Sequence, residues 1–374
     1  MPRRIYSIAL KEFIHLLNDW WMPAFMLFGG ALELLMVGWA TSRPINNLPM
    51  MVLDLDKSPA SRQMAVALEN AETFDLKAQV YEMSVIERAM QRGEINVAVI
   101  IPPDFSAQMA STNGQPTLAV LINGAESIPG TAALRSLQGL TRQIGQDITV
   151  QRLGLDPAAF AGFDPSMRVW FNEGLKDSLY TTPAELGLML EFTILLFAAL
   201  SFSRERELGT LEQLLVMPFS SLELIIGKAI PVVLIGAFDF ALMLTMTHFA
   251  FGVPIRGSLL LLAVLATGYV MVELGKGMVI SVISHTQHQA FLLVMLIGMT
   301  DFMFTGYAVP VEGMPQAMQW LANFVPAHHW LTILRGILLK SAGMDVLWPN
   351  VAALAGLGVV IGSFSWWYVR RALN

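Results

Sequence analysis

The sequence predicts a polytopic α-helical membrane protein with six transmembrane helices and an extracytoplasmic α/β (α+β) domain inserted between the first and second. Three observations carry that expectation. Of 374 residues, 55% are hydrophobic and only 14% charged, and the mean hydropathy is +0.56, far from the balance of a soluble domain. Apolar runs of ~20 residues, the length that crosses a hydrocarbon core as a helix, recur along the chain. Between the first two lies a polar stretch, 41–180, of about 140 residues, too long for a loop and long enough to bury its own core.

Residues 1–19 read as an amphipathic interfacial helix. Ile5, Ile8, Ala9, Phe13 and Leu16 form one stripe, and Arg4, Lys11, His15 and Asn18 the opposite one, a pattern suited to the cytoplasmic headgroups. It is not a cleavable signal, because no short apolar core with small residues follows Arg3 and Arg4. The first span, 20–40, has Trp20, Trp21 and Trp39 near its ends and Glu33 as its one charge. Within 41–180, the runs 51–55, 97–101 and 118–122 read as strands, with helices over 61–70, 84–91 and 131–153, an alternating order. The Asp54, Asp56 and Ser58 cluster is explained by a strand end entering a turn at Pro59.

Spans two to six occupy 181–371. The second opens on Thr182 as cap, Pro183 at the first helical position and Glu185 three residues after the cap, and runs to about 202. Ser220 and Glu223 form another capping box before the third span, 224–251. A turn at 252–257 leads to the fourth, 258–283, and a polar link at 284–289 to the fifth, 290–309. Residues 310–340, interrupted by Pro315 and Pro326, read as two short helices in, or re-entering, the outer leaflet. The sixth span, 346–369, ends at Arg370 and Arg371. These two, with Arg3, Arg4, Lys11, Arg204 and Arg206, fall on one side, so both termini are expected in the cytoplasm and the 41–180 domain outside.

Between spans two and three lies a charged island, 203–218, with the sequence SRERELGTLEQLLVMP. Gly209 breaks the preceding helix, Thr210 is placed to cap a new one with Gln213 reaching back, and Pro218 limits it to about two turns. Leu208, Leu211 and Leu215 fall on one side, while Glu205, Arg206 and Glu212 lie away from them, where charge would meet a soluble partner. Arg204, Glu205, Arg206, Glu207, Gly209, Thr210, Glu212 and Leu214, followed by Met217 and Pro218, resemble the signature of type-2 ABC transporter permeases, in which this segment docks on the ATPase. Lys11 and Glu12 ahead of Asp19 resemble further landmarks, as do Trp170, Phe171 and Asn172, and Pro326, Ala327, His328 and His329 with Arg335. The likeness covers essentially the whole chain. It implies a multi-pass protein of the bacterial inner membrane, working as a pair of six-span units (a second copy or a paralogue) with two cytoplasmic ATPase subunits. The large external domain resembles that of the drug-efflux branch, which adds a periplasmic adaptor, an outer-membrane channel and membrane lipid to the expected partners.

The chain itself has no nucleotide site. Gly275 and Lys276 are followed by Gly277 where a Walker A motif needs Ser or Thr, and Val270 stands where the upstream Gly belongs. ATP and Mg are therefore expected on the partner, with no cofactor on this chain. Cysteine is absent, which excludes disulfides, thiolate zinc sites and cysteine nucleophiles. His285 and His288 lack an HExxH glutamate and His328 and His329 are adjacent, so neither pair reads as a zinc site, and there is no GxSxG elbow. A formal charge of -6 spread along the chain has no nucleic-acid footprint.

The remaining anomaly is charge inside the membrane. Glu191, Asp239, Glu273 and Asp301 fall near the middle of spans two to five, and Lys276 is one turn from Glu273. An acid at bilayer centre costs about 2.5 to 3.5 kcal/mol on an insertion scale, so these groups face protein or water. They are either paired or protonated ties between helices or the polar lining of a substrate path, and they depart from the apolar core the resemblance implies. Glu185 reads as a helix cap. The expected function is that of a permease subunit of an ATP-driven exporter, moving a hydrophobic or amphipathic (drug-like or lipid-like) substrate out of the cytoplasm or inner membrane. Two other classes compete: a proton-coupled secondary transporter using the midplane acids, and a membrane-anchored envelope assembly protein working through its external domain.

Overall fold

The computed structural model describes residues 2–18, 20–42, 47–71, 73–111, 114–124, 127–153, 171–172, 176–217, 219–307 and 309–373. Two units separate: Met1–Arg43 with Arg168–Asn374, and the contiguous Pro44–Met167.

The helical unit begins with α1 (Pro2–Asn18) and α2 (Trp21–Ser42). The second unit is built on β1 (Leu48–Asp54), α3 (Pro59–Glu69), β2 (Phe74–Val80), α4 (Met83–Gln91), β3 (Val97–Ile101), α5 (Phe105–Ala110), β4 (Ala119–Ile122) and α6 (Ser127–Leu153). The sheet order is β2-β1-β3-β4, with β1 parallel to β2 and β3, and β3 antiparallel to β4. Both faces of β1 and β3 are covered, as parallel strands require. Leu48, Met50, Val52, Val97, Val99 and Ile101 pack with α3, α5 and α6, while Leu53 and Ala98 meet Ile86 and Ala89 of α4. The sequence reading missed β2 because its composition, with Asp75, Lys77 and Gln79, is that of an edge strand with one wet face. The acidic cluster is a turn: Asp54 accepts from the Asp56 and Lys57 backbone N–H groups at 3.1 and 2.9 Å and from the Ser61 hydroxyl at 2.7 Å. Ser58 and Ser61 cap α3 reciprocally. A hydrogen bond from Ser58, and then those from the Ser106 hydroxyl and backbone N–H, hold the Asp56 carboxyl below its usual range.

The helical unit resumes with α7 (Ser178–Glu207), α8 (Leu211–Val216), α9 (Ser221–Phe251), α10 (Leu259–Ile283) and α11 (Gln287–Phe304). A 3-10 turn (Val311–Gly313), α12 (Gln316–Ala322), α13 (Pro326–Lys340) and α14 (Met344–Leu373) complete it. Among the described residues, five helical stretches are long and apolar enough to cross a membrane: Pro23–Ser42, Ser178–Glu207, Leu222–Phe251, Leu259–Ile283 and Met344–Arg371. Helix α11, expected over 290–309, has 18 residues, ~27 Å at 1.5 Å each, opens on Gln287, His288 and Gln289, and stops before the left-handed Gly306 at φ 80°.

Helix α7 is the hub. Apolar on all sides, it is buried against α2, α9, α10, α11 and α13. Helix α10 approaches it closely enough that a Cβ on Gly277 would sit 2.5 Å from the Ala198 Cβ. Trp330 of α13 lies fully buried and stacks on Tyr269 of α10 with ring centroids 5.0 Å apart. The start of α7 corrects the sequence reading. The helix begins at Ser178, the Thr182 hydroxyl donates to the Ser178 carbonyl at 2.6 Å, and Pro183 and Glu185 lie inside the helix, so Glu185 is no cap. Pro183, the sixth residue of the helix, lies past the first four unpaired positions, so the helix gives up the one bond its N–H would have made to the Leu179 carbonyl. The Ser220 and Glu223 capping box that opens α9 is present as expected.

Candidate functional site

The charged island is not a separate loop. Ser203 to Glu207 continue α7, which stops at Leu208 and turns through Gly209 at φ 70°, a left-handed conformation that a side chain would strain. Helix α8 follows. Thr210 does not cap it; its hydroxyl bonds the Glu205 carboxylate instead. Pro218 lies outside the described residues, as do the Leu215 side chain, Asp19 and Trp170. Phe171 is exposed, and Asn172 clasps Lys176 backbone groups ahead of α7.

The acidic and basic residues of the island point mostly inward, against expectation. Glu205 is 5% exposed. Its carboxylate meets Lys11 of α1 at 2.5 Å and Lys228 of α9 at 3.7 Å. Lys228 has no exposed side-chain surface and is held by Glu12 of α1 at 2.5 Å and the Ser201 carbonyl at 2.8 Å. Arg206 donates to the carbonyls of Val282 and Ser284 at 2.9 and 2.7 Å, closing the end of α10. Glu207 accepts from the Gln287 backbone N–H at 2.7 Å, where a carboxylate favours the start of α11. Arg204 lines, with Glu12 and His15, a small cleft beside α1. The physical reason is that a charge at a helix junction finds backbone and countercharge nearer than water. What α8 and its flanks leave exposed is mostly apolar: Leu208, Val216 at 87% and Met217, beside Glu212 and Gln213. Leu214 turns in against Ile8 and Leu224, and Leu211 packs half-buried against the helical core.

The intramembrane charges form one cluster and one isolated acid. The Lys276 ammonium sits among three carboxylates, Glu273 at 2.7 Å, Asp301 at 2.6 Å and Glu191 at 3.2 Å, joining α10, α11 and α7. The Tyr269 hydroxyl donates to Glu191 at 3.4 Å. Asp239 of α9 stands apart from that cluster, fully buried beside Thr193. Among the described residues no group of three or more His or acidic side chains is placed to hold a metal. His329 is engaged by Asn350 and the Asn323 carbonyl, and Arg335 lies 3.7 Å over the Tyr180 ring and donates to the Gly306 carbonyl.

Sequence reasoning passed over Lys228, noted Glu33 only as the one charge of its span, took Glu185 for a cap and passed over Tyr307. The last three line a groove of about 600 Å³ among α2, α7 and α11, which none of the four clustered charges enters. The signal available was a lone charge in the middle of each apolar run, which periodicity could not aim.

A family model described as ABC-2 family transporter protein matches residues 20–367. Over 371 residues the chain is 26% identical to the probable multidrug ABC transporter permease YbhR of Escherichia coli (strain K12), covering 99% of each. It is 26% identical over 377 residues to the probable multidrug ABC transporter permease YbhS of the same organism, covering 100% of this chain and 98% of the relative. To the inner membrane transport permease YhhJ it is 23% identical, covering 95% and 94%.

Proposed function

This chain belongs to the ABC-2 transporter family, and we propose that it is the membrane-spanning subunit of an ATP-driven exporter. A separate cytoplasmic ATPase binds ATP and Mg, and a second permease, a copy or a paralogue, completes the path. The observation that supports this is the break between α7 and α8: a short helix with an apolar outer face, hung on the buried hub helix and braced from behind by Glu205.

Closure of the ATPases pushes α8. Glu205 passes the displacement to α1 through Lys11 and to α9 through Lys228, and Arg206 and Glu207 pass it to the junction of α10 and α11. The Lys276 cluster makes α7, α10 and α11 move as one body, because separating an ammonium from three carboxylates in low dielectric is costly. In this reading both termini are cytoplasmic, Pro44–Met167 lies outside, α11 crosses as a further span, and the substrate is hydrophobic or amphipathic, as the multidrug names of the relatives suggest.

The test is reconstitution with the cognate ATPase. ATP-dependent export, lost with Glu212→Lys and Val216→Ser together while the permease stays monodisperse, is expected. Export that persists without any ATPase would show a secondary transporter instead.

A further inference from the structure

The groove among α2, α7 and α11 has an asymmetric chemistry. Its walls are apolar and polarisable, with Phe25, Met26, Phe192, Phe291, Met295 and Met299, and it has two carboxyl groups, Glu33 and Glu185, with no basic side chain in its lining. Glu33 stands near the middle of the Pro23–Ser42 span, and among the described residues it has no hydrogen-bonded or ion-paired partner. Glu185 is 2% exposed, faces the Tyr307 hydroxyl, and is near enough to Glu33 to be repelled by it. Thr193, which also lines the groove, backs onto the fully buried Asp239. Arg335, close enough to act on Tyr307, is engaged with the Tyr180 ring and two backbone carbonyls.

An ionisable side chain at mid-membrane without a protein partner marks a site that faces water or a ligand. We propose that this groove binds an amphipathic organic cation, its charge between Glu33 and Glu185 and its hydrocarbon body against the aromatic and Met walls. An anionic phospholipid headgroup is the wrong sign, since its phosphate would meet two carboxylates. Phe and Tyr faces attract a cation, and Met side chains reshape to varied bodies. A groove of about 600 Å³ suits a drug-sized molecule. The proposal gives a substrate class to the exporter reading and rests on it only for calling the ligand a substrate.

The probe is tetraphenylphosphonium, with tetraphenylborate as its anionic counterpart, bound to the full-length chain in nanodiscs by equilibrium dialysis. Saturable binding of the cation and none of the anion is expected. Glu33→Gln and Glu185→Gln should each weaken the cation about tenfold or more, with Glu33→Asp between. Glu33→Gln leaves an exposed position and should keep the yield of wild type. Because the chain has no cysteine and a side chain at Gly29 meets open space, Gly29→Cys gives a single thiol in the groove that the cation should shield from a maleimide. Equal affinity for both ions, undiminished binding by Glu33→Gln, or a Gly29→Cys thiol that refuses the maleimide without ligand and cross-links two copies would overturn the site. Binding needs no ATPase, so charge-selective binding without ATP-driven export would sink the exporter reading and leave the site standing.

Discussion

Reversing Glu205 to Lys separates two roles for the island. If Glu205 faced a soluble partner, reversal would cost little stability and abolish docking. In the structure its carboxylate lies 2.5 Å from Lys11 and 3.7 Å from the fully buried Lys228. At an effective dielectric of ~20, one unit-charge interaction at that second distance is about 4.5 kcal/mol, attractive for Glu and repulsive for Lys. The swing of roughly 9 kcal/mol is comparable to the whole stability of an ordinary domain. Lys11 is a third exposed and adds no more than about 1 kcal/mol. Glu205→Lys should therefore fail to yield monodisperse protein. Glu205→Gln, which keeps an acceptor for Thr210, should lose about 2 to 3 kcal/mol, since Lys228 retains Glu12. Thermal unfolding in detergent, followed by tryptophan fluorescence, reads both, and a cycle with Lys228→Met should show a coupling of about 1 kcal/mol or more. A Glu205→Lys protein that melts with the wild type yet no longer recruits the ATPase would refute the inward placement.

Glu212→Lys with Val216→Ser, on the exposed face of α8, should leave the melting temperature within a degree or two while ATPase stimulation in proteoliposomes falls sharply. Lys276→Met leaves three carboxylates facing each other and should cost about 3 to 5 kcal/mol, seen as loss of monodisperse yield; Asp301→Asn, which still hydrogen bonds, should be far milder. Gly277→Val forces α10 off Ala198 and should destabilise by roughly 1 to 3 kcal/mol, measured by the same melt. Asp54→Ala leaves two backbone N–H groups and the Ser61 hydroxyl without their acceptor, so limited proteolysis of the full chain should find new cleavage within 48–111, by a loss of about 2 to 3 kcal/mol.

What was legible in advance was local. The Gly209 break, the Ser220 and Glu223 capping box and the Asp54 turn each depend on groups a few residues apart, so their geometry follows from backbone sterics and spacing alone. The apolar runs were legible for the same reason: length against bilayer thickness needs no tertiary information. Family membership came from a contiguous motif. The same logic misled at Thr182, where a good capping pattern lost to a helix start at Ser178, and at β2, whose edge position permits a composition that does not look like a strand.

The amino-acid sequence by itself thus determined a polytopic chain, its polar insert and the place of the charged island between the second and third spans. Tertiary structure alone decided which charges meet. Lys11 is 194 residues from Glu205 and Lys228 is 216 from Glu12, and pairing at such separation is set by how α1, α7 and α9 pack. An interaction that falls with distance and rises steeply as water is excluded is a property of position in space. A lone Glu in an apolar run is the same letter whether it ties Lys276, as Glu191 does, or faces an open groove, as Glu33 does; only the neighbouring helices determine which.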